Sequence, residues 1–370
     1  MIPVCTPTIG AREKAYVLDC LKTNWISSSG SYLSRFEEAF SRYCQCQFGI
    51  SATNGTTALH LALAAINLKK GDEIIMPSFS IASTAFAAMY CGAKPVFVDI
   101  EPDTGNIDPK RIEEKITKRT KAIMPIHIYW HPCDMDPIMR IAKKHKLFII
   151  EDAAESHGAL YKNKKVGSFG DMSCFSFYAN KIITTGEGGM VVTNNKDLAK
   201  RCQSLRNLNF IPERRYWHEE VGFNYRMTNI QAALGLAQFE SVEKLVEMRR
   251  TNAKRYNERL KNIPGIHLPV ERKDCRNVYW MYGIRLDKEF GCSRDQLMQE
   301  LKNKGVETRT YFLPLHQQPF LKEMGFTQKE KMPVTEAWAQ NGLYIPSSSH
   351  LRLKDLQYVC DMIRDIQKSR

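Results

Sequence analysis

The chain has 370 residues, 43% of them hydrophobic and 10% aromatic, a globular composition that excludes a disordered chain and suffices for one large α/β domain plus a smaller one. Its formal net charge is +13, yet the 53 Lys and Arg are scattered among 40 acidic residues without a basic arm or aromatic-interleaved tract, so nucleic-acid binding is not expected. No stretch reaches the length of a membrane span, Met1-Ile-Pro-Val lacks the regions of a signal peptide, and the eleven cysteines form no framework; a soluble, cytoplasmic chain with reduced thiols is expected.

Residues 12–23 and 34–43 read as surface helices, the second with Ser34 as its N-cap. Residues 48–52 form a short strand that runs into Thr53-Asn-Gly-Thr-Thr57, and residues 58–66 follow as a buried helix. Such a turn at a helix N-terminus offers amides, hydroxyls and the positive dipole end to a phosphate, although threonine there also serves as an ordinary cap. Short apolar runs at 73–77, 93–99, 121–127 and 147–151 alternate with helical patterns, which argues a mainly parallel sheet with crossover helices. In such sheets ligands gather beyond the carboxyl ends of the strands. Asp152, Glu155 and His157 stand just past the fourth run.

The stretch from Ser173 to Met190 is an apolar run, one lysine, a hydroxyl- and glycine-rich turn, and then a second strand at 190–193. Lys181, between two buried strands, is poorly solvated; desolvation lowers an amine's pKa towards the nucleophilic form that Schiff-base chemistry needs. Gly186, Gly188 and Gly189 let the backbone turn and approach a ligand. A plain Lys-Gly hairpin tip accounts for the same residues. No P-loop is present, and Gly186-Glu-Gly-Gly189 precedes its strand, whereas a dinucleotide fingerprint follows one. His127 and His131 have a metal-like spacing, but Pro132 and the strand-like run before them argue against zinc. From Ile230 to about Leu260 the pattern is helical, with Glu243, Lys244, Arg249 and Arg250 on a solvated face. A break at 262–265, a strand at 278–284 and helices at 293–304 and 353–368 complete a smaller unit. The expected domains are 1–240 and 241–370, with the first 12 or so residues packed on the second.

Seven blocks in order carry a resemblance: Asn54-Gly-Thr-Thr-Ala-Leu-His-Leu-Ala-Leu63, Gly71–Pro77, Gly92–Asp99, Glu151–Gly158, Asn180–Gly189, Gly222–Met227 and Tyr311–His316. Over essentially its whole length the chain resembles the sugar aminotransferases of the DegT/DnrJ/EryC1/StrS family. The resemblance implies an α/β, type I (aspartate aminotransferase-like) fold, with a large domain around a mainly parallel sheet and a smaller C-terminal α+β domain. It implies pyridoxal 5'-phosphate carried on Lys181, which also shuttles protons, with Asp152 on the ring nitrogen and Glu155 near the ring hydroxyl. Gly55, Thr56 and Ser176 would seat the phosphate, joined by Asn224 from the partner of a homodimer with shared active sites. Tyr311 and His316 fall on the substrate side. L-Glutamate would leave its amino group as pyridoxamine phosphate, which then aminates a nucleotide-linked keto-sugar.

Within the family, residues 177–189 are most similar to the C4-aminating branch that makes GDP-perosamine from GDP-4-keto-6-deoxymannose for polysaccharide biosynthesis. UDP- or dTDP-4-keto-6-deoxyglucose, giving a viosamine-type product, is the alternative. Related dehydratases have histidine in place of the lysine, so Lys181 argues against that chemistry, and the intact set Lys181, Asp152 and Ser176 argues against an idle relative. Four positions depart from the pattern. Ile81 stands where some members stack an aromatic ring, Trp130 where many have glycine, Glu155 for a common glutamine and Ala179 for a common glycine.

Overall fold

The computed structural model describes the chain except residues 130, 212, 213, 215, 328 and 329, so Trp130 lies outside the described residues. The apolar runs become β1 (Phe48–Ala52), β2 (Glu73–Pro77), β3 (Lys94–Val98), β4 (Thr120–Ile123) and β5 (Phe148–Asp152). A short hairpin of β6 (Leu160–Tyr161) and β7 (Lys164–Lys165) precedes β8 (Met172–Ser176) and β9 (Gly189–Thr193). The large sheet has the order β1-β9-β8-β5-β4-β2-β3. From β8 to β3 every pair is parallel, whereas β9 is antiparallel to both β1 and β8. The sheet is mainly parallel, and every residue of β2, β8 and β9 is buried, as strands covered on both faces require. Only β9 returns directly on its neighbour, because residues 177–188 between β8 and β9 form no crossover helix.

The helix Gly55–Ala65 starts two residues after β1 and buries nearly its whole surface. Asn54 caps it: its side chain accepts the Thr57 amide at 2.9 Å, and the Thr57 hydroxyl accepts the Asn54 amide at 3.0 Å. This reciprocal cap fixes the direction in which the first turn points. A second, antiparallel sheet has the order β10 (Ile266–His267), β12 (Tyr282–Leu286), β14 (Gly342–Ile345), β13 (Arg309–Thr310), while β11 (Cys275–Arg276) joins β6. Helices Val242–Leu260, Arg294–Asn303 and Leu353–Lys368 enclose a separate core with it, including Tyr256, Ile284, Leu297, Leu343 and Val359. The N-terminus joins this part: Ile2 bridges Val306, and the Val4 amide donates to Glu307 at 2.9 Å.

Several local expectations change. The second helix spans Ser31–Tyr43 behind Gly30, and the Ser34 hydroxyl donates to the Ser31 carbonyl instead of capping. The charged stretch from 230 is two helices, Asn229–Phe239 and Val242–Leu260. Arg249 is buried, not solvated, because carbonyls of other segments surround it. The strand expected from 278 begins only at Tyr282; Tyr279 takes a left-handed φ of 47°, which interrupts extended structure. His127 bonds Glu151, and His131 bonds the Pro132 carbonyl and the Arg272 amide, so the two share no ligand. Among the described residues no helix is long and apolar enough to cross a membrane, and no cluster could hold a metal ion.

Candidate active site

Strands β1, β5 and β8 run in one direction, so Ala52, Asp152 and Ser176 end on one edge of the sheet. A cavity of about 470 Å³ opens there, with Gly55, Thr56, Asp152, Glu155, Ser176 and Lys181 on its wall. At its floor the first turn of Gly55–Ala65 presents amides with no acceptor inside the helix, at the positive end of the dipole. A Cβ on Gly55 would lie 2.8 Å from the Ser176 Cβ, closer than side-chain carbons approach, so glycine is what lets the helix start abut β8. At Gly189 an added Cβ would meet the Asn54 carbonyl oxygen at 2.3 Å, so β9 packs on the same turn. The Thr56 hydroxyl donates to Ser83 at 3.0 Å. Amides, hydroxyls and dipole together make this floor suited to a phosphate-sized anion.

Asp152 is buried, and its carboxylate accepts the Ala154 amide at 3.1 Å. Burial raises its pKa, while that amide and the nearby Lys181 charge oppose the rise. Lys181 lies in the β8–β9 connection, its Nζ 3.6 Å from Glu155 Oε1 and 3.8 Å from the centre of the Trp280 ring. Burial lowers its pKa against the pull of Glu155 and Asp152. Glu155 accepts the Tyr129 amide on its other oxygen at 2.6 Å, and burial pushes its pKa up to about 7 despite Lys181. Both partners are therefore driven towards their neutral forms, because the cost of burying each charge exceeds their attraction at this distance. The arrangement supplies a nucleophilic amine beside an acid that stabilises it once protonated.

Behind the wall, most of the hydrogen bonds that hold these residues run to backbone groups. Glu151, next to Asp152, accepts from His127, Gly167, Phe169, Gly170 and Ser173, which locks the end of β5. Trp280 donates its indole N–H to the Asn180 carbonyl at 2.8 Å, beside Lys181. Arg249 in turn donates to the Trp280 carbonyl, to the Ser347 carbonyl at 2.8 Å and to the Ser349 hydroxyl at 3.0 Å. The platform under Lys181 is thus held from a helix more than sixty positions along the chain.

Of the nine residues given a cofactor or substrate role from sequence, six meet in this cavity and three do not. Asn224 is exposed and does not line it. Tyr311 is buried against Phe79, Tyr129 and Trp338. His316 is buried between the Ser78 hydroxyl at 2.7 Å and Glu336 at 3.1 Å. Neither Tyr311 nor His316 reaches the cavity wall, because the core of the second sheet and the segment after β2 enclose them. His157 likewise points into the rings of Phe40, Phe175 and Phe177. Ile81 does line the cavity and is half exposed. Sequence reasoning missed Trp280, Arg309 and Tyr344 on the wall. No local pattern marks them, since each comes from the C-terminal part of the chain.

The model of the DegT/DnrJ/EryC1/StrS aminotransferase family matches residues 7–364. The chain is 45% identical to a GDP-perosamine synthase of Caulobacter vibrioides over 97% of its own length and 96% of that protein's. It is 42% identical to a GDP-perosamine synthase of Escherichia coli O157:H7 over 100% and 99% of the two chains. A Streptococcus pneumoniae protein described as a sugar aminotransferase, solved in PLP and PMP forms, has 26% identity and a TM-score of 0.93; in its PLP form the match covers 99% of that chain and all of this one. With the family's model spanning nearly every residue around a cavity of this construction, the chain belongs to the DegT/DnrJ/EryC1/StrS aminotransferase family.

Proposed function

We propose that the chain is a pyridoxal-phosphate enzyme that moves the amino group of L-glutamate to C4 of GDP-4-keto-6-deoxymannose, forming GDP-perosamine. The observation that carries the sugar assignment is similarity from end to end, at 45% and 42% identity, to two chains named GDP-perosamine synthase. The residues on the wall fit the cofactor. Gly55 and Thr56 amides and the Ser176 hydroxyl suit its phosphate, and the missing Cβ of Gly55 is what lets the helix start and Ser176 stand side by side. The buried Asp152 carboxylate suits a ring nitrogen that must keep its proton, and Lys181 suits the carbonyl carbon. Bound there, pyridoxal phosphate supplies an electron sink for the charge that develops on the reacting carbon.

Lys181 Nζ, its pKa lowered by burial, takes the proton that leaves the α-carbon of glutamate. In the return half-reaction it delivers a proton to C4 of the sugar. Glu155, 3.6 Å away, stabilises the ammonium form between these events. The enclosing wall limits water around both groups, which strengthens their mutual interaction. Asn224, exposed on its own chain, completes the phosphate seat of a partner in a homodimer, where one patch serves both copies. The eleven cysteines form no disulfide, in keeping with work in the cytoplasm. We divide the chain into 1–240 and 241–370, and the Ile2–Val306 bridge supports packing of the N-terminus on the second unit.

A panel of GDP-, UDP- and dTDP-linked 4-keto-6-deoxy sugars, each assayed with glutamate, tests the reading. The highest kcat/KM is expected with the GDP sugar; an equal or higher value with a UDP or dTDP sugar overturns that choice. Borohydride treatment of the holoenzyme should fix the cofactor on the peptide containing Lys181, and a label elsewhere would refute the assignment of that lysine.

A further inference from the structure

Five side chains on the cavity wall carry formal charge: Asp152, Glu155, Lys181, Glu187 and Arg309. Three are acids, and Lys181 serves the cofactor. Arg309 is then the one remaining cationic side chain among the described residues of this wall. Both substrates of the proposed reaction are anions, since the amino donor carries carboxylates and the sugar nucleotide a diphosphate. A transaminase takes the two in turn at one site, so a cation on its wall meets each.

The setting of Arg309 suits that task. It lies on β13, where its backbone pairs with Tyr344 of β14 in antiparallel register. Arg309, Asn180 and Tyr344 line both the main cavity and an adjoining one of about 170 Å³, so Arg309 stands where the two meet. Its side-chain partner is Glu307 Oε1 at 3.3 Å from Nη2, and the two side chains are 61% and 35% exposed. A solvated pair of this kind is weak. The other Glu307 oxygen is already held by the Val4 amide at 2.9 Å. Among the described residues the guanidinium makes no second hydrogen bond, which leaves most of its five N–H donors for a ligand. Its planar fork matches both a carboxylate and a phosphate.

We infer that Arg309 is the substrate-anion residue of this site, gripping the carboxylate of the amino donor in one half-reaction and the diphosphate of the sugar nucleotide in the other. The inference rests on the aminotransferase reading above. It is tested on the holoenzyme with Arg309→Gln and Arg309→Lys, each half-reaction being followed separately in single turnover by the cofactor's absorbance. The PLP form is mixed with glutamate and the PMP form with the GDP-linked keto-sugar. Calorimetry with glutarate and with GDP measures binding without turnover.

Arg309→Gln should weaken binding in each half-reaction by about ten- to hundred-fold while the rate at saturation changes little. Glutarate and GDP should lose affinity in parallel, and Arg309→Lys should recover part of it. A loss confined to glutamate and glutarate, or to the sugar and GDP, overturns the shared role and leaves Arg309 a site for that one anion. Unchanged binding of all four ligands overturns the proposal, as does a fall in saturating rate with binding intact. Failure of the wild-type protein to react with either substrate instead defeats the aminotransferase reading. Unchanged melting temperature and cofactor absorbance exclude misfolding as the cause.

Discussion

Replacing Gly55 with alanine tests whether close packing of a helix start on a strand end builds the cofactor seat. The added Cβ would sit 2.8 Å from the Ser176 Cβ and 3.1 Å from its Oγ, whereas ordinary contacts begin at 3.4 Å. Either the helix Gly55–Ala65 or the end of β8 must therefore retreat by about 0.6 Å. Helix start and strand end are each fixed, by the Asn54–Thr57 cap and by pairing with β5 and β9. The shift falls on the amides and the hydroxyl proposed to hold the phosphate. Losing one hydrogen bond to a charged group costs about 1.5–3 kcal/mol, or roughly ten- to 150-fold in Kd. Overpacking costs about 1–3 kcal/mol in stability, offset in part by alanine's better helix propensity of up to about 1 kcal/mol.

The assay is titration of cofactor-free protein with pyridoxal phosphate, read by absorbance, alongside thermal unfolding of the same samples. Gly186→Ala is the matched control. Its Cβ would meet nothing within 4 Å, but its φ is +81°, so it pays only the cost of a left-handed residue, about 1–2 kcal/mol. Stability should fall there while cofactor affinity stays near wild type. If Gly55→Ala binds the cofactor with wild-type affinity, contact between Gly55 and Ser176 does not shape the seat.

Asp152→Asn should retain the cofactor but lose tens- to a thousand-fold in turnover, about 2–4 kcal/mol in the barrier, because an amide cannot keep the ring nitrogen protonated; near-normal kcat would mean that another acid does so. His157 is fully buried, and burial pushes its pKa down to about 3 from an ordinary 6.5. Between those values the unfolded chain binds the proton and the folded one does not, so its contribution to stability is complete above pH 6.5 and is lost as pH falls towards 3. His157→Phe should flatten that part of the stability curve in urea unfolding at several pH values, and an unchanged slope would refute the assignment. For the shared site, inactive Lys181→Ala and Asn224→Asp chains allowed to exchange should recover activity, since in a mixed dimer both lesions fall in one site. About half the dimers should be mixed and about a quarter of all sites restored. No recovery after demonstrated exchange would place Lys181 and Asn224 in the site of one chain.

Much of the large sheet was legible because its signals are local. The runs at 73–77 and 147–151 are apolar almost throughout, as buried parallel strands are, and became β2 and, shifted by one residue, β5. The phosphate-type floor was legible for a similar reason. Asn54-Gly-Thr-Thr57 carries both its cap and its open amides within four residues. The reversal of β9 was not legible, since Gly189–Thr193 reads alike in either direction and its neighbours β1 and β8 settle which one it takes. Tyr311 and His316 lie in a family block but are enclosed by Trp338, Tyr129, Ser78 and Glu336, which sequence proximity does not reveal.

The sequence by itself determined the α/β alternation, the family and the placing of Asp152, Ser176 and Lys181 at or after strand ends, because these depend on periodicity and short motifs. Only the tertiary structure decided what surrounds them. Arg249 occupies a helix position indistinguishable in pattern from its solvated neighbours, yet it is buried because the Trp280 and Ser347 carbonyls close over it. Trp280 comes under Lys181, and Arg309 onto the cavity wall, across about a hundred residues of chain. Burial of a side chain, and hence its pKa and its partners, is set by the segments that fold over it, which the residues beside it do not encode.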